Sequence, residues 1–429
     1  MRTLPEPFLA GCKASFRHVR AGRGHALHIA FASLVCFAAS GDQLLLEIAG
    51  VPLIVCYVFR IRRMVRTWEW FFRQPTTLTF LAWAVWQGVS LAWSSDPGEG
   101  LAQLATLRWV WVAWLLYPVL EARRLYIVAV VVGFLIAQGT QVAQGVGQVM
   151  EIPALTFGQD PERLAGWWHP AVAGTLLVGA MGYSIPAAIM GRGVERKFAI
   201  VGVAASAVGI IATGSRGAWI AGAGLLVIGA GVWVVRARPR ARTLLSAGVV
   251  AVVVLSAVVV ALRGPIVSRA TRAYEEVHAA LVEGRYATST GARLAMIGWS
   301  LDAAAAHPVR GIGLGGFADW SRSRASAEGM APEWILFHGH SHNTPLYVLA
   351  SGGGVGLVLF LAFWGAGARA AIRAVPSGAW GTYLAGPAWA LLGLTLCWPF
   401  DVVFISSQGM ANVAIVFALC PSRLPPEPP

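Results

Sequence analysis

The chain has 429 residues, of which 57% are hydrophobic and only 12% are charged. A soluble domain carries about 25% charged residues, so this chain cannot cover several globular surfaces with charge. The mean hydropathy of +0.64 also excludes a disordered or collagen-like chain. The composition therefore predicts a membrane protein with several spans.

Twelve apolar segments predict membrane-spanning helices, because a span needs about 17–25 mostly apolar residues. The first two are short, and the first resembles a signal peptide. A second span follows it at once, which favours an uncleaved helix. The predicted spans lie at about 25–40, 44–59, 75–93, 101–120, 125–149, 170–190, 198–213, 217–235, 243–263, 343–366, 379–397 and 404–420.

The basic residues are divided unequally between the two sets of connections. The set that includes both termini holds 22 Lys and Arg residues, and the opposite set holds ten. An excess of Lys and Arg marks the cytoplasmic side of a membrane, so both termini are predicted to be cytoplasmic. The formal net charge of +13 then follows mostly from topology, and nucleic acid is not an expected partner.

One external connection, residues 264–342, is far longer than a simple turn. Its helix-like stretches predict a small helical lid over the bundle. Gly311–Gly316 satisfies G-x-G-x-x-G but follows no buried strand, so it predicts a tight turn. The acidic patch around Glu275 and Glu276 is interpreted as a solvated face. The predicted units are 1–263 with nine spans, the lid 264–342, 343–420 with three spans, and a cytoplasmic tail 421–429.

The densest polar cluster is formed by His338, His340 and His342, followed directly by Asn343, where the lid meets the tenth span. In an extended segment all three imidazoles share one face. Imidazole accepts a proton near neutral pH, so one interpretation is a general base for a hydroxyl. A second is a metal site, and a third is a helix start capped by Ser341 or Asn343.

Three external arginines lie where they could bind an anion. Arg216 is in the short turn Thr213–Trp219, Arg163 is at the mouth of the sixth span, and Arg293 is in the lid. The guanidinium fork suits bidentate phosphate binding. Taken singly, each is better explained as a snorkelling or surface arginine, so the prediction depends on several arginines and histidines sharing one face.

Arg108 and Glu47 lie inside predicted spans. An interior ion pair and a substrate contact are both open interpretations for them, because charged groups within a membrane are costly and mark either role.

ATP is absent outside the cytoplasm, so a group-transfer enzyme there requires a preactivated donor. A membrane-embedded cavity with external arginines fits a lipid-linked diphosphate. Arginine stabilises the charge of a departing diphosphate in place of a metal ion.

These motifs resemble the bacterial O-antigen ligases, within the wider group of O-antigen ligases and polymerases. His342-Asn343 with Gly353 and Gly356 is similar to the block that follows the large loop in that family. The Thr213–Trp219 turn, the segments around Arg163 and Arg293, and the plan of twelve spans with one large loop resemble the family as well.

The resemblance implies a GT-C-like membrane fold and a metal-independent, inverting transfer that needs no cofactor. A polysaccharide would move from undecaprenyl diphosphate to a sugar of lipid A–core at the periplasmic face of the inner membrane. By the same resemblance Arg216 and Arg293 would hold the diphosphate, with Arg163 as a third contact. His342 would be the base, assisted or oriented by His340 and His338.

Three other functions compete with this one. An O-antigen polymerase and a protein O-oligosaccharyltransferase would use the same donor with another acceptor. A lipid or glycan transporter ranks low, because transporters tend to show internal repeats and polar groups at mid-membrane, whereas here the polar cluster lies at the outer rim.

Overall fold

A computed structural model describes residues 18–20, 22–155, 163–237, 263–329 and 339–421. Over these residues the chain forms helices and no β-strand. The all-helical prediction is therefore confirmed for the described residues. The helices are α1 His25–Ala38, α2 Gln43–Phe59, α3 Ile61–Phe72, α4 Pro75–Ser90, α5 Pro97–Thr106, α6 Val110–Leu116, α7 Arg123–Val149, α8 Pro170–Met190, α9 Gly193–Ala212, α10 Arg216–Ala237, α11 Arg263–Val282, α12 Ser289–Ala306, α13 Phe317–Ala327, α14 Thr344–Arg373, α15 Gly386–Leu396 and α16 Ser407–Ala418.

Four helical segments of the described chain are long and apolar enough to cross a membrane, or five if the bent pair α2–α3 is one span. Shorter apolar helices accompany them, and α4 has only 16 residues. Hydropathy predicted twelve spans, more than the number of described helices that are long and apolar enough to cross a membrane. The predicted span at 243–263 lies outside the described residues except for its last residue. The four segments are Pro97–Val149, Pro170–Met190, Arg216–Arg236 and Thr344–Arg373.

The segment Pro97–Val149 reverses direction within its 53 residues. As one straight helix it would be about 80 Å long at 1.5 Å per residue, against a hydrocarbon thickness of about 30 Å. Val119 has non-helical dihedral angles and breaks it. Gly100 before the break packs against the 264–342 connection, and Gly145 after the break packs against the 150–169 connection.

Helix α14 is broken at Gly353, where φ is 65° and ψ is −168°. The base of the lid fills the break. The amide of Ile312 donates to the carbonyl of Ala350 at 2.9 Å, and the amide of Gly354 donates to the carbonyl of Pro308 at 2.8 Å. Backbone groups freed by a break inside a membrane protein must be satisfied by other protein groups, and these two bonds do so.

The predicted tight turn at Gly311–Gly316 is confirmed. Gly311, Gly313 and Gly315 have φ of 69°, 89° and 90°. A Cβ on Gly313 would lie 2.6 Å from the Cα of Ser94, so the close approach to the α4–α5 connection requires glycine. The turn ties the lid to the bundle.

We expect Gly353→Ala to lower the midpoint of thermal unfolding in detergent. A side chain at these dihedral angles costs about 1–3 kcal/mol, and its Cβ would also lie 2.5 Å from the Arg310 amide nitrogen. Gly365→Ala is the matched control in the same helix, because a Cβ there meets nothing within 4 Å. Equal midpoints for Gly353→Ala and the parent chain would contradict this account of the break.

Candidate functional site

The Thr213–Trp219 turn joins α9 to α10 and places Arg216 at the first position of α10. Gly214 adopts φ of 61°, and the amide of Ser215 donates to the hydroxyl of Thr213 at 3.2 Å. A Cβ on Gly217 would clash with Phe400. The turn therefore packs against the connection between α15 and α16, at the same end of the bundle as the lid.

Arg216 forms an ion pair with the lid. Its Nη2 donates to Oε2 of Glu276 on α11 at 2.9 Å, and the two side chains are only 22% and 18% exposed. The amide of Thr290 donates to the same oxygen at 3.2 Å, and the Thr290 hydroxyl donates to it as well. Nη1 of Arg216 is buried and has no hydrogen-bond partner among the described residues. Nη2 of Arg216 thus already binds a carboxylate, and Nη1 lacks an acceptor among the described residues.

Glu276 was predicted to lie on a solvated face, and this is wrong. Burial raises the pKa of Glu276, but hydrogen bonds from Thr290 and Arg216 and the Arg216 charge outweigh it and hold this pKa below its ordinary value. Glu275 next to it is exposed, as predicted. The two neighbouring carboxylates point to different surroundings because α11 packs against the bundle with one face only.

Arg293 joins the same charged cluster. Thr288 caps α12 by accepting from the amide of Gly291, which sets Arg293 in the first turns of the helix. Burial has the largest effect on Arg293 and holds its pKa below the ordinary value. The charges of Asp401 and Glu276 raise this pKa, and the charge of Arg216 lowers it further. The charges of Arg216 and Arg293, the two arginines that were predicted to bind one diphosphate, therefore act on each other.

Asp401 is the second carboxylate of the cluster, and the sequence analysis missed it. Its Oδ2 accepts from the hydroxyl of Thr175 at 3.0 Å, and Oδ1 accepts from the amide of Val402 at 2.8 Å. Burial has the largest effect on Asp401 and holds its pKa above the ordinary value. These two hydrogen bonds and the charges of Arg293 and His169 act in the opposite direction. A lone carboxylate between two apolar segments was the available signal, because such a group needs a partner.

The histidine turn is docked on the connection that carries Asp401. The hydroxyl of Thr344 donates to the carbonyl of Asp401 at 2.6 Å, and the amide of Thr344 donates to the carbonyl of Trp398 at 2.8 Å. Asn343 caps α14 by accepting from the amide of Leu346 at 3.1 Å. The capped-start interpretation is therefore correct for Asn343, and it coexists with the other interpretations of the histidines.

His340 and His342 lie against each other, with ring centroids 4.1 Å apart. The amide of His342 donates to Nδ1 of His340 at 3.2 Å. His342 has φ of 52°, a left-handed conformation that is uncommon for a residue with a Cβ and concentrates at functional sites. His338 lies outside the described residues.

Arg163 supports the α9–α10 turn. Its Nε donates to the carbonyl of Thr213 at 2.7 Å, three residues before Arg216. Its own carbonyl accepts from Nε2 of Gln144 at 3.3 Å. Arg163 therefore lies beside the turn that positions Arg216.

Over the described ranges, no group of three or more His, Cys, Asp or Glu side chains could hold a metal ion. Because His338 is outside those ranges, a site made of all three histidines stays an untested interpretation. Elsewhere, Arg108 and Glu47 form an ion pair of 3.2 Å, but their side chains are 43% and 46% exposed, so this is not the interior pair that was one of the two interpretations.

Residues 201–361 match the family model described as O-antigen ligase. This region of the chain is similar to the O-antigen ligase family. The matched O-antigen ligase residues include Arg216, Arg293, His340 and His342, so the resemblance drawn from these motifs is confirmed. Asp401 lies outside the match. Comparison with individual curated proteins gives no match.

We expect Glu276→Gln to weaken the attachment of the lid in this O-antigen ligase domain. A hydrogen bond to a charged group contributes about 1.5–3 kcal/mol, and the variant removes the charge of the acceptor. The thermal midpoint in detergent should fall, and Glu275→Gln, at an exposed neighbour, should leave it unchanged.

The difference in thermal midpoint between the parent chain and Glu276→Gln is predicted to depend on pH. Because the pKa of folded Glu276 lies below its ordinary value of about 4.5, its ionised form stabilises the folded state above that ordinary value. This stabilisation is lost as the pH falls through the lowered pKa. The difference in midpoint between the parent chain and Glu276→Gln should therefore be constant near neutral pH and shrink below about pH 4.5. A difference that grows on acidification would contradict the ion pair.

Proposed function

We propose that the chain is an inverting glycosyltransferase, an O-antigen ligase that moves a polysaccharide from undecaprenyl diphosphate to a lipid A–core sugar. The reaction would occur at the periplasmic face of the bacterial inner membrane. The observation that carries the proposal is the clustering of Arg216 and Arg293 within the O-antigen ligase domain. Two guanidinium groups that share one carboxylate-lined site suit a ligand with two adjacent phosphates.

A GT-C-like arrangement of twelve spans under a lid at residues 264–342 belongs to this proposal. Contacts between connections that were predicted to lie on the same side of the membrane support it. At the lid end, the turn at Arg216 meets Arg163 and the loop of Asp401. At the opposite end, Arg123 donates to the carbonyl of Ala374 at 2.8 Å.

In the proposed donor complex a phosphate oxygen takes the position of the Glu276 carboxylate on Arg216. The free Nη1 of Arg216 gains an acceptor at the same time. Arg293 contacts the second phosphate, and Asp401 orients Arg293 by its charge. Arg163 is the proposed third contact and holds the turn through Thr213.

In the proposed reaction an imidazole removes the proton from the acceptor hydroxyl. The acceptor oxygen forms a bond to the anomeric carbon of the donor sugar, and the bond from that carbon to the diphosphate oxygen breaks on the opposite side. The lipid diphosphate leaves with the electron pair, and the arginines stabilise its charge. His342 is the proposed base, and His340 orients it through the bond to the His342 amide; His338 is a proposed assistant.

The decisive assay combines the purified chain with undecaprenyl-diphosphate-linked glycan and lipid A–core, and asks which molecule gains sugar. Transfer to lipid A–core supports the ligase. Growth of the lipid-linked glycan identifies a polymerase instead, and labelling of a protein acceptor identifies an O-oligosaccharyltransferase.

We expect Arg216→Ala and Arg293→Ala to lower the transfer rate at least about 10²–10³-fold, because each removes a donor to the departing charge. Arg216→Lys should recover only part of the rate, since an ammonium lacks the planar fork. Arg285→Ala is the control, because Arg285 is an exposed lid arginine paired with Glu283. Normal transfer by both alanine variants would remove the diphosphate-binding role.

We expect His342→Ala to lower kcat about 10²–10⁴-fold, the usual contribution of a general base. His340→Ala should have a smaller effect, because His340 acts on the orientation of His342. EDTA should leave transfer intact. Activity that is lost in EDTA and restored by one divalent ion would overturn the metal-independent mechanism and favour the metal interpretation of the histidines.

A further inference from the structure

A second groove, apolar with a few polar side chains, lies on the lid side of the protein, and none of its lining residues belongs to the arginine and histidine site. Its volume is about 310 Å³, and it opens between the lid and the α4–α5 connection. The residues on which the argument depends are Trp93, Ser95, His307, Arg310, Asp319 and Trp320.

We propose that this groove binds an anionic saccharide unit, a sugar that carries a phosphate or carboxylate group. The inference rests on the proposed function for the identity of the molecule that delivers the sugar. Within that function, the groove would hold a sugar of the acceptor next to the transfer site.

The positive charge of the groove comes from Arg310. Its guanidinium lies over the Trp93 ring, 5.8 Å from the ring centroid, and it makes no ion pair with any described carboxylate. Asp319, the acidic residue of the groove, is already paired with Arg322 at 2.7 Å. Stacking on tryptophan fixes the guanidinium plane while its N–H groups stay available for an anion.

The other wall carries groups that suit a sugar. His307 packs edge-on against Trp320 with centroids 5.9 Å apart, and Nε1 of Trp320 donates to the carbonyl of Trp299 at 2.9 Å. Trp320 is therefore held in place. Rigid aromatic walls with a few convergent polar groups are typical of small-molecule sites, and the hydroxyl of Ser95 adds a further donor and acceptor.

The base of the groove is rigid. Arg310 immediately precedes the glycine turn, whose Gly311 and Gly313 pack directly on the break in α14 and on the α4–α5 connection. A residue held on a pinned turn loses little freedom when it binds a ligand. The groove is thus organised before any ligand arrives.

The first turn of α5 connects the groove to the histidine turn. Gly315, next to the lining residue Gly316, packs against Asp96 and Gly100, and Glu99 of the same turn lies 3.9 Å from the Cβ position of Gly339, next to His340. The groove and the histidine turn therefore lie beside the same helix turn. One acceptor saccharide of a few units could occupy both sites.

The test measures binding without the donor. The purified chain in nanodiscs of zwitterionic lipid is titrated by calorimetry with de-acylated lipid A–core oligosaccharide, before and after phosphatase treatment. We expect Arg310→Ala to weaken binding about tenfold or more, the usual effect of losing a charge-assisted hydrogen bond. Phosphatase treatment should weaken binding to the parent chain by a similar factor, and Arg285→Ala should bind as the parent does.

Two further arms identify the source of the anion. Glycan released from the donor lipid is titrated in parallel, and tighter binding of that glycan than of the core would overturn the acceptor assignment. Nanodiscs with anionic phospholipid test a lipid headgroup instead, and complete loss of oligosaccharide binding in them would overturn the saccharide assignment. Equal affinity of the parent chain and Arg310→Ala for the core would overturn the proposal itself.

Transfer kinetics separate this proposal from the proposed function. Arg310→Ala should raise the KM for lipid A–core while kcat and the KM for the donor stay unchanged. If the chain transfers no sugar in any assay and yet binds the core through Arg310, the ligase function fails and the groove stands. If transfer proceeds with an unchanged KM for the acceptor, the groove assignment fails and the ligase function stands.

Discussion

The site depends on balancing two half-buried guanidinium charges beneath the lid. Arg216 and Arg293 repel each other, and Glu276 and Asp401 offset that repulsion. Removing one partner from such a cluster leaves an uncompensated charge in a poorly solvated place, which is strongly unfavourable. In the proposed donor complex, a phosphate takes the place of Glu276 as the counter-charge of Arg216, and Asp401 stays beside Arg293.

Local sequence features build this balance from separate parts of the chain. Gly214 turns the backbone so that α10 starts at Arg216, and Thr288 starts α12 so that Arg293 falls in its first turns. The hydroxyl of Thr344 holds the histidine turn on the loop of Asp401. Each element supplies one charged or titratable group, and the packing of small residues at one end of the bundle brings the groups together.

The sequence predicted the helical membrane character and the tight glycine turn. These predictions succeed because hydropathy, glycine content and residue type act locally or through topology. The number of spans was less predictable, since the reversal at Val119 and the short helix α4 depend on packing that hydropathy does not record.

The carboxylates of the site could not be assigned from the sequence for a related reason. Glu275 and Glu276 are adjacent and chemically identical, and only the face that α11 turns toward Arg216 separates an exposed carboxylate from a half-buried one. Asp401 is a single residue in a short connection, and its partners Thr175 and Arg293 are distant along the chain.

The break in α14 has a mechanical consequence. The backbone from Pro308 to Gly313 is hydrogen-bonded to the carbonyls and amides on both sides of Gly353, while the first residue of α14, Thr344, is fastened to the loop of Asp401. The N-terminal half of α14 is thus held at both ends, at Thr344 by the loop of Asp401 and at Gly353 by the base of the lid. The histidine turn, which directly precedes Thr344, is thereby held in a fixed position relative to the base of the lid.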